Sequence, residues 1–222
     1  MNKRLCALAL LVAVGCFSTQ DGFAKKKKSA PPSDATAGAF DYFLLTLSWA
    51  PEFCAANSKG SNTAECDPKE HMGLVVHGLW PQYDNGKWPQ DCGGPSVPSS
   101  IVKQMLPIMP GKDLIQHEWS KHGTCSALSV QDYFGVIGKL YHELRVPDNF
   151  QSPSVSAQTS PAKIEKAFAT ANAAPQSAFR IACPQNEFSA VEICVSKDLQ
   201  YQVCPASLKE CRAKSIKVVP VP

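Results

Sequence analysis

The chain has 222 residues, 44% of them hydrophobic and 18% charged, enough for one domain with a sizeable core and too apolar for a wholly disordered protein. Its formal charge of +3 comes from the first 39 residues. From Phe40 onward acids and bases nearly balance, which argues against sequence-blind capture of duplex nucleic acid on a broad basic face but leaves room for a small site that takes an anionic substrate.

The opening MNKRLCALALLVAVGCF, a short basic start before a brief apolar run, reads as a secretory signal peptide over residues 1–24. Gly22 and Ala24 give the small-x-small pattern for cleavage after Ala24. The alternative is lipid attachment at Cys16, because Ala13-Val14-Gly15-Cys16 loosely resembles a lipoprotein box. Residues 25–39, four lysines followed by a Pro/Ala/Ser stretch, are expected to be a disordered tether, and the lysine run a solvated tail. The folded domain is expected over 40–222, in the periplasm or the medium, with no stable membrane insertion.

Beyond the export segment, which holds Cys6 and Cys16, there are eight cysteines, an even set that implies four disulfides in an exported chain. No CxxC occurs, so the spacing of a structural zinc site is missing.

Residues 40–49 (FDYFLLTLSW), rich in aromatic and branched side chains, read as a buried strand, and 73–80 (GLVVHGLW) as a second. The Gly/Pro/Asn-rich stretch from 81 to 100 reads as a long loop of the kind that often binds ligands. DLIQHEWSKHG suits a short helix with Asp113 near its start and Gly123 as its stop. Residues 129–144 have apolar side chains at helical spacing behind a Ser129/Asp132 capping box, and Ser160-Pro161 opens another helix. FRIACP, SAVEICV and LQYQVCP, each with one cysteine, read as short strands. Strands and helices mix without regular alternation, so the expected class is α+β, a sheet with flanking helices.

The densest chemistry lies in HEWSKHGTC, 117–125. On a helix, His117, Lys121, Glu118 and His122 fall at roughly 0°, 40°, 100° and 140° and share one face, with Trp119 turned toward the core. Zinc proteolysis needs H-E-x-x-H, which superposes two imidazoles; here the spacing is H-E-x-x-x-H and Lys121 would set a cation beside the metal. Glu118 with His122, and His117 with Lys121, are i, i+4 pairs able to interact. His77 lies near the end of an apolar strand, on the same side as Val75 and Leu79 by the two-residue period. Alone it would read as a core histidine; beside a second acid/base cluster it becomes a site candidate.

HGLWPQ (77–82) and HEWSKHGTC, in this order, together with LSWAPEFC (47–54) and EICVSKDLQYQVCP (192–205), resemble the ribonuclease T2 family, secreted endoribonucleases that need no metal or other cofactor. The resemblance implies a central antiparallel sheet with both histidine segments on one cleft. It implies the pairs Cys54 with Cys66, Cys92 with Cys125, Cys183 with Cys211, and Cys194 with Cys204. It also implies that His122 acts as general base and His77 as general acid, that Lys121 and Glu118 stabilise the transition state and tune His122, and that His117 contacts phosphate. The substrate would be single-stranded RNA, whose 2′-hydroxyl is the internal nucleophile, and the product a 2′,3′-cyclic phosphate.

Two imidazoles with ordinary pKa values of roughly 6.5 would give a bell-shaped pH profile. Trp80 would stack on a base, and Gln82 stands where part of the family has an acidic base-binding residue. Leu114 and Ile115 replace an aromatic pair common in the family. A monomer is expected. The rivals are a catalytically silent binding protein of the same fold and a zinc hydrolase.

Overall fold

The computed structural model describes residues 36–57 and 64–222. The expected signal peptide, Cys16 and the lysine run lie outside them. Strand β1 (Tyr42–Trp49) leads into α1 (Ala50–Ala56) and then β2 (Leu74–Gln82). Next come α2 (Ser99–Met105), α3 (Lys112–Lys121), α4 (Val130–Glu143), β3 (Ala157–Thr159) and α5 (Pro161–Ala171). Strands β4 (Phe179–Ala182), β5 (Ala190–Val195) and β6 (Ile216–Val218) complete the order.

The main sheet runs β2-β1-β5-β4, antiparallel throughout, and β3 pairs with β6 separately. Strand β1 is apolar along nearly its whole length because both its faces are covered. Phe43, Leu45, Leu47 and Trp49 enter the main core, while Tyr42 and Leu44 meet Cys194, Cys204 and Trp80 on the other side. The first face packs on the helices. Ile115 and Trp119 come from α3, Tyr133, Phe134, Ile137 and Leu140 from α4, and Ile164 and Phe168 from α5, each set spaced to form one apolar stripe.

Local signals decide the helix starts. The Ser129 hydroxyl accepts from Asp132 N at 3.1 Å, and Ser160 caps α5 with Pro161 in its first turn. Three segments differ from the sequence reading. LQYQVCP forms no strand; Tyr201 makes one bridge to Val195, and Cys204 N turns away to Ser177 O. The turn before it needs a left-handed Leu199 (φ 60°), and the Cys194–Cys204 disulfide closes the loop. Residues 50–56, given no element in the sequence reading, form α1, which carries Cys54, since Pro51 starts a helix directly after Trp49. The ordered chain also begins before Phe40. Ala39 N bonds Thr36 O, and Gly38, at φ 86°, donates its N–H to Cys125 O at 2.9 Å.

The disulfides are Cys54–Cys66, Cys92–Cys125, Cys183–Cys211 and Cys194–Cys204. The loop after β2 is strapped along α3. Cys92 is joined to Cys125, Asp91 N donates to Lys121 O (2.8 Å), Trp119 Nε1 to Pro95 O (2.7 Å), and Gln116 bonds both backbone groups of Val97. These attachments hold the loop against the helix that carries the acid/base cluster and against the turn that follows it.

Candidate active site

The site is built around an irregularity in β2. Thr46 pairs with Gly78 and Leu47 with Val76, so His77 has no partner across the ladder. It is the extra residue of a β-bulge, a device that re-aims a side chain. The two-residue period placed His77 with Val75 and Leu79. The Val75 half holds, since Val75 pairs with Ser48 and lines the same cleft as His77, but Leu79 and Val76, three apart, both face the main core, and the imidazole lies on the opposite side. There its Nδ1 lies 3.1 Å from Ser48 Oγ and its Nε2 3.5 Å from Glu118 Oε1.

Glu118 is 2% exposed, and its oxygens are divided between two β2 side chains. Oε1 faces His77, and Oε2 accepts from Trp80 Nε1 at 2.6 Å. Burial alone would raise this carboxyl. The hydrogen bonds from His77 and Trp80 and the charges of His77 and His122 outweigh it and hold the group below the usual carboxylate range. The anticipated side-chain pairing of Glu118 with His122 therefore gives way to partners across the cleft, and only its field reaches His122. Gly78 is required here, because a Cβ at that position would strike the Glu118 carboxylate and the Trp80 indole.

Trp80 stands between the two imidazoles, with ring centroids 5.4 Å from His77, edge-on, and 5.4 Å from His122, tilted by 35°. The backbone on its N-terminal side is held by Tyr133, whose buried hydroxyl donates to Leu79 O (2.8 Å). His122 follows the last residue of α3 and is 8% exposed. Burial draws its imidazole down from 6.5 to about 4; Lys121 and His117 push the same way, and Glu118 and Asp91 oppose. Its Nδ1 is buried without a protein partner among the described residues, which gives a second proton on the ring no acceptor.

Gly123 does not end α3 through a left-handed turn; the helix closes at Lys121 with His122 as its cap. Gly123 opens a 3-10 turn, and a Cβ there would collide with Trp119 and Tyr133. Lys121 is half-buried and His117 exposed, so the shared helical face divides into a buried half, Glu118 and His122, and an open half. Trp119 lies in the core. Gln82 is 6% exposed, at the far end of β2.

A cleft of about 570 Å³ opens beside His77, lined by Ser48, Phe53, Val75, Leu106, Pro110 and Leu114 among others. Ser48 was passed over in the sequence; its signal was one hydroxyl in an apolar strand. Among the described residues no three His, Cys, Asp or Glu side chains group as metal ligands.

Geometrically, then, two imidazoles of unlike environment flank one indole and one carboxylate, an arrangement able to take a proton at one point and give one at another. The chain is 37% identical over 119 residues to a ribonuclease of Aeromonas hydrophila, covering 54% of this chain and 53% of that one. It thus spans about half the length of such bacterial relatives, 44% for a probable ribonuclease of Haemophilus influenzae. Ribonuclease DdI of Dictyostelium discoideum is 29% identical over 90% of this chain and 96% of its own. Among solved structures, an RNase-related protein from Calystegia sepium superposes with a TM-score of 0.69 at 28% identity, over 82% of this chain and 97% of that one. RNase NT, solved with 5′-AMP, gives 0.65 at 25% identity, over 82% and 98%. Residues 40–204, which contain both histidine segments, match the ribonuclease T2 family, and the chain belongs to it.

Proposed function

We propose that this protein is an endoribonuclease that cleaves single-stranded RNA through a 2′,3′-cyclic phosphate, with His122 as general base and His77 as general acid. The observation that carries the reading is the asymmetry of the two imidazoles across Trp80. His122, drawn down to about 4, is neutral at ordinary pH and free to take a proton. His77 is half exposed, with the Glu118 carboxylate 3.5 Å from its Nε2.

His122 removes the proton of the 2′-hydroxyl, and the 2′-oxygen attacks phosphorus. The P–O5′ bond breaks as His77 gives its proton to the departing 5′-oxygen. Lys121, at the cleft edge, offsets the negative charge that grows on the phosphoryl oxygens, and His117 meets a flanking phosphate. Glu118 holds the acid and the indole in register and its charge moderates the neutrality of His122. Trp80, partly exposed, offers a stacking surface for a base, with Gln82 behind it. RNase NT was solved with 5′-AMP, in line with a cleft of nucleotide size.

Four disulfides support export to an oxidising compartment. In this reading residues 1–24 are a removed leader, 25–39 a tether whose last residues dock on the domain through Gly38, and the rest one monomeric catalytic domain. The test is incubation of the oxidised protein with single-stranded RNA and single-stranded DNA in excess chelator, beside His77→Ala and His122→Ala. Cyclic-phosphate ends on RNA from the wild type alone are expected, with DNA intact. Intact RNA from a folded wild type would favour the silent binding protein, and loss of cleavage only with chelator the zinc hydrolase.

A further inference from the structure

We infer that the groove between α5 and the segment following α4 is a second binding site, which takes the phosphodiester backbone of single-stranded nucleic acid away from the catalytic residues. The groove has a volume of about 840 Å³, within the range of ligand-binding clefts. Lys163, Lys166 and Thr170, spaced along one face of α5, line one side of it, and residues 145–148 with Gln151 line the other. The neighbouring face of α5 turns Ile164 and Phe168 into the core. The two sides are tied together by Asn172, whose Oδ1 accepts from Arg145 N at 2.8 Å and whose Nδ2 donates to Arg145 O at 2.9 Å and to Phe168 O at 2.8 Å. The frame is therefore fixed while the charged side chains on it are exposed.

Charge selects the occupant. Arg145, Lys163 and Lys166 face the groove with Asp148 as the one acid among the lining residues, in a domain whose acids and bases nearly balance. Among the described residues none of the three cations has a carboxylate within ion-pairing distance. The nearby acids are engaged elsewhere. Glu143 pairs with Lys139, the Asp148 carboxylate accepts from Gln151 Nε2 at 3.1 Å, and Glu165 faces Gln176 and Arg180. No aromatic side chain lines the groove, so it offers a base nothing to stack on and holds a strand by its phosphates. The groove shares no residue with the cleft at His77. Helix α5 packs on the core face of the sheet, and Trp80 stands on the other, so a dinucleotide in the cleft leaves the groove empty and only a long chain reaches both. Binding in the groove needs no 2′-hydroxyl and takes DNA and RNA strands alike; its use in holding a substrate rests on the reading of the protein as a ribonuclease.

The test uses a long single-stranded DNA oligonucleotide, which carries the phosphates without the internal nucleophile. Its affinity is measured by fluorescence anisotropy across a salt series for the wild type and for Arg145→Gln, Lys163→Gln and Lys166→Gln combined. A control combines Lys69→Gln, Lys103→Gln and Lys214→Gln, which remove the same charge from exposed positions outside the groove. At about 0.7 per phosphate neutralised on a single strand, the slope of log K against log salt is expected to fall in magnitude by about 2 in the groove variant. The control is expected to keep the wild-type slope, and all three proteins the same melting temperature. Equal slopes in wild type and groove variant overturn the inference, and so does an equal drop in the control, which would make net charge the cause. The same proteins are incubated with RNA. If the wild type leaves RNA intact while the groove variant alone loses slope, the functional reading fails and the binding site stands; if RNA is cleaved and the slopes are equal, the reverse holds.

Discussion

Acidification is the perturbation that tests the site most directly, because His122 is drawn down from 6.5 to about 4 mainly by burial. Above pH 6.5 the imidazole is neutral in both folded and unfolded chains and the difference costs nothing. As pH falls from 6.5 toward 4, the unfolded chain takes up a proton that the folded site refuses, so stability drops through that window and levels off below it. At 1.36 kcal/mol per unit, a shift of this size amounts to about 3 kcal/mol. Urea unfolding at pH 7 and pH 4 measures it, with His122→Gln as the reference that lacks the titrating group; the wild type should lose about 3 kcal/mol more than the variant. The Glu118 carboxyl, held below its ordinary value, loses its contribution only at lower pH and does not mask the effect. The same shift predicts that the acid limb of kcat/KM, which reports free-enzyme groups, falls near pH 4. An acid limb near 6.5 together with equal pH slopes for wild type and His122→Gln would refute the reasoning.

Trp80→Phe keeps an aromatic ring between the histidines but removes the N–H that Glu118 Oε2 accepts from. A buried carboxylate that loses a charge-assisted bond should destabilise the fold by about 2 kcal/mol in urea and lower kcat; a change under about 0.5 kcal/mol would mean that water replaces the indole. The Cys92–Cys125 bridge spans 33 residues and Cys194–Cys204 spans 10. Chain entropy gives about 4 kcal/mol for the longer loop and about 3 for the shorter. Paired Cys→Ser variants should keep that order in their urea midpoints, and only the loss of Cys92–Cys125 should also depress activity, since it ties the loop to the turn that follows α3 and His122.

Much of this fold can be read along the chain where one signal dominates. The helix from Val130 to Glu143 has both an apolar stripe and a serine cap, and β1 is apolar on both sides because both faces are covered. Short or irregular segments carry less information. The three-residue strands β3 and β6 exist only through each other, and LQYQVCP alternates like a strand but follows a disulfide and a left-handed turn. Helical geometry put Glu118 and His122 on one face, yet could not show that Glu118 spends both oxygens on β2. That depends on how closely two distant segments approach. Ser48 was illegible for the same reason, since nothing local marks a hydroxyl whose partner lies 29 residues away.

The bulge at His77 makes folding and chemistry separable. The ladder resumes on either side of it with Leu79 and Val76 both facing the core, so the extra position acts as a phase shifter that the sheet needs in length but not in identity. Any side chain tolerated by a partly exposed strand position could occupy it without moving its neighbours. The reactive group at this place can therefore be replaced while the scaffold is retained, whereas Gly78 next door cannot accept even a methyl group without striking Glu118. Along this strand, freedom to vary and its absence lie one residue apart.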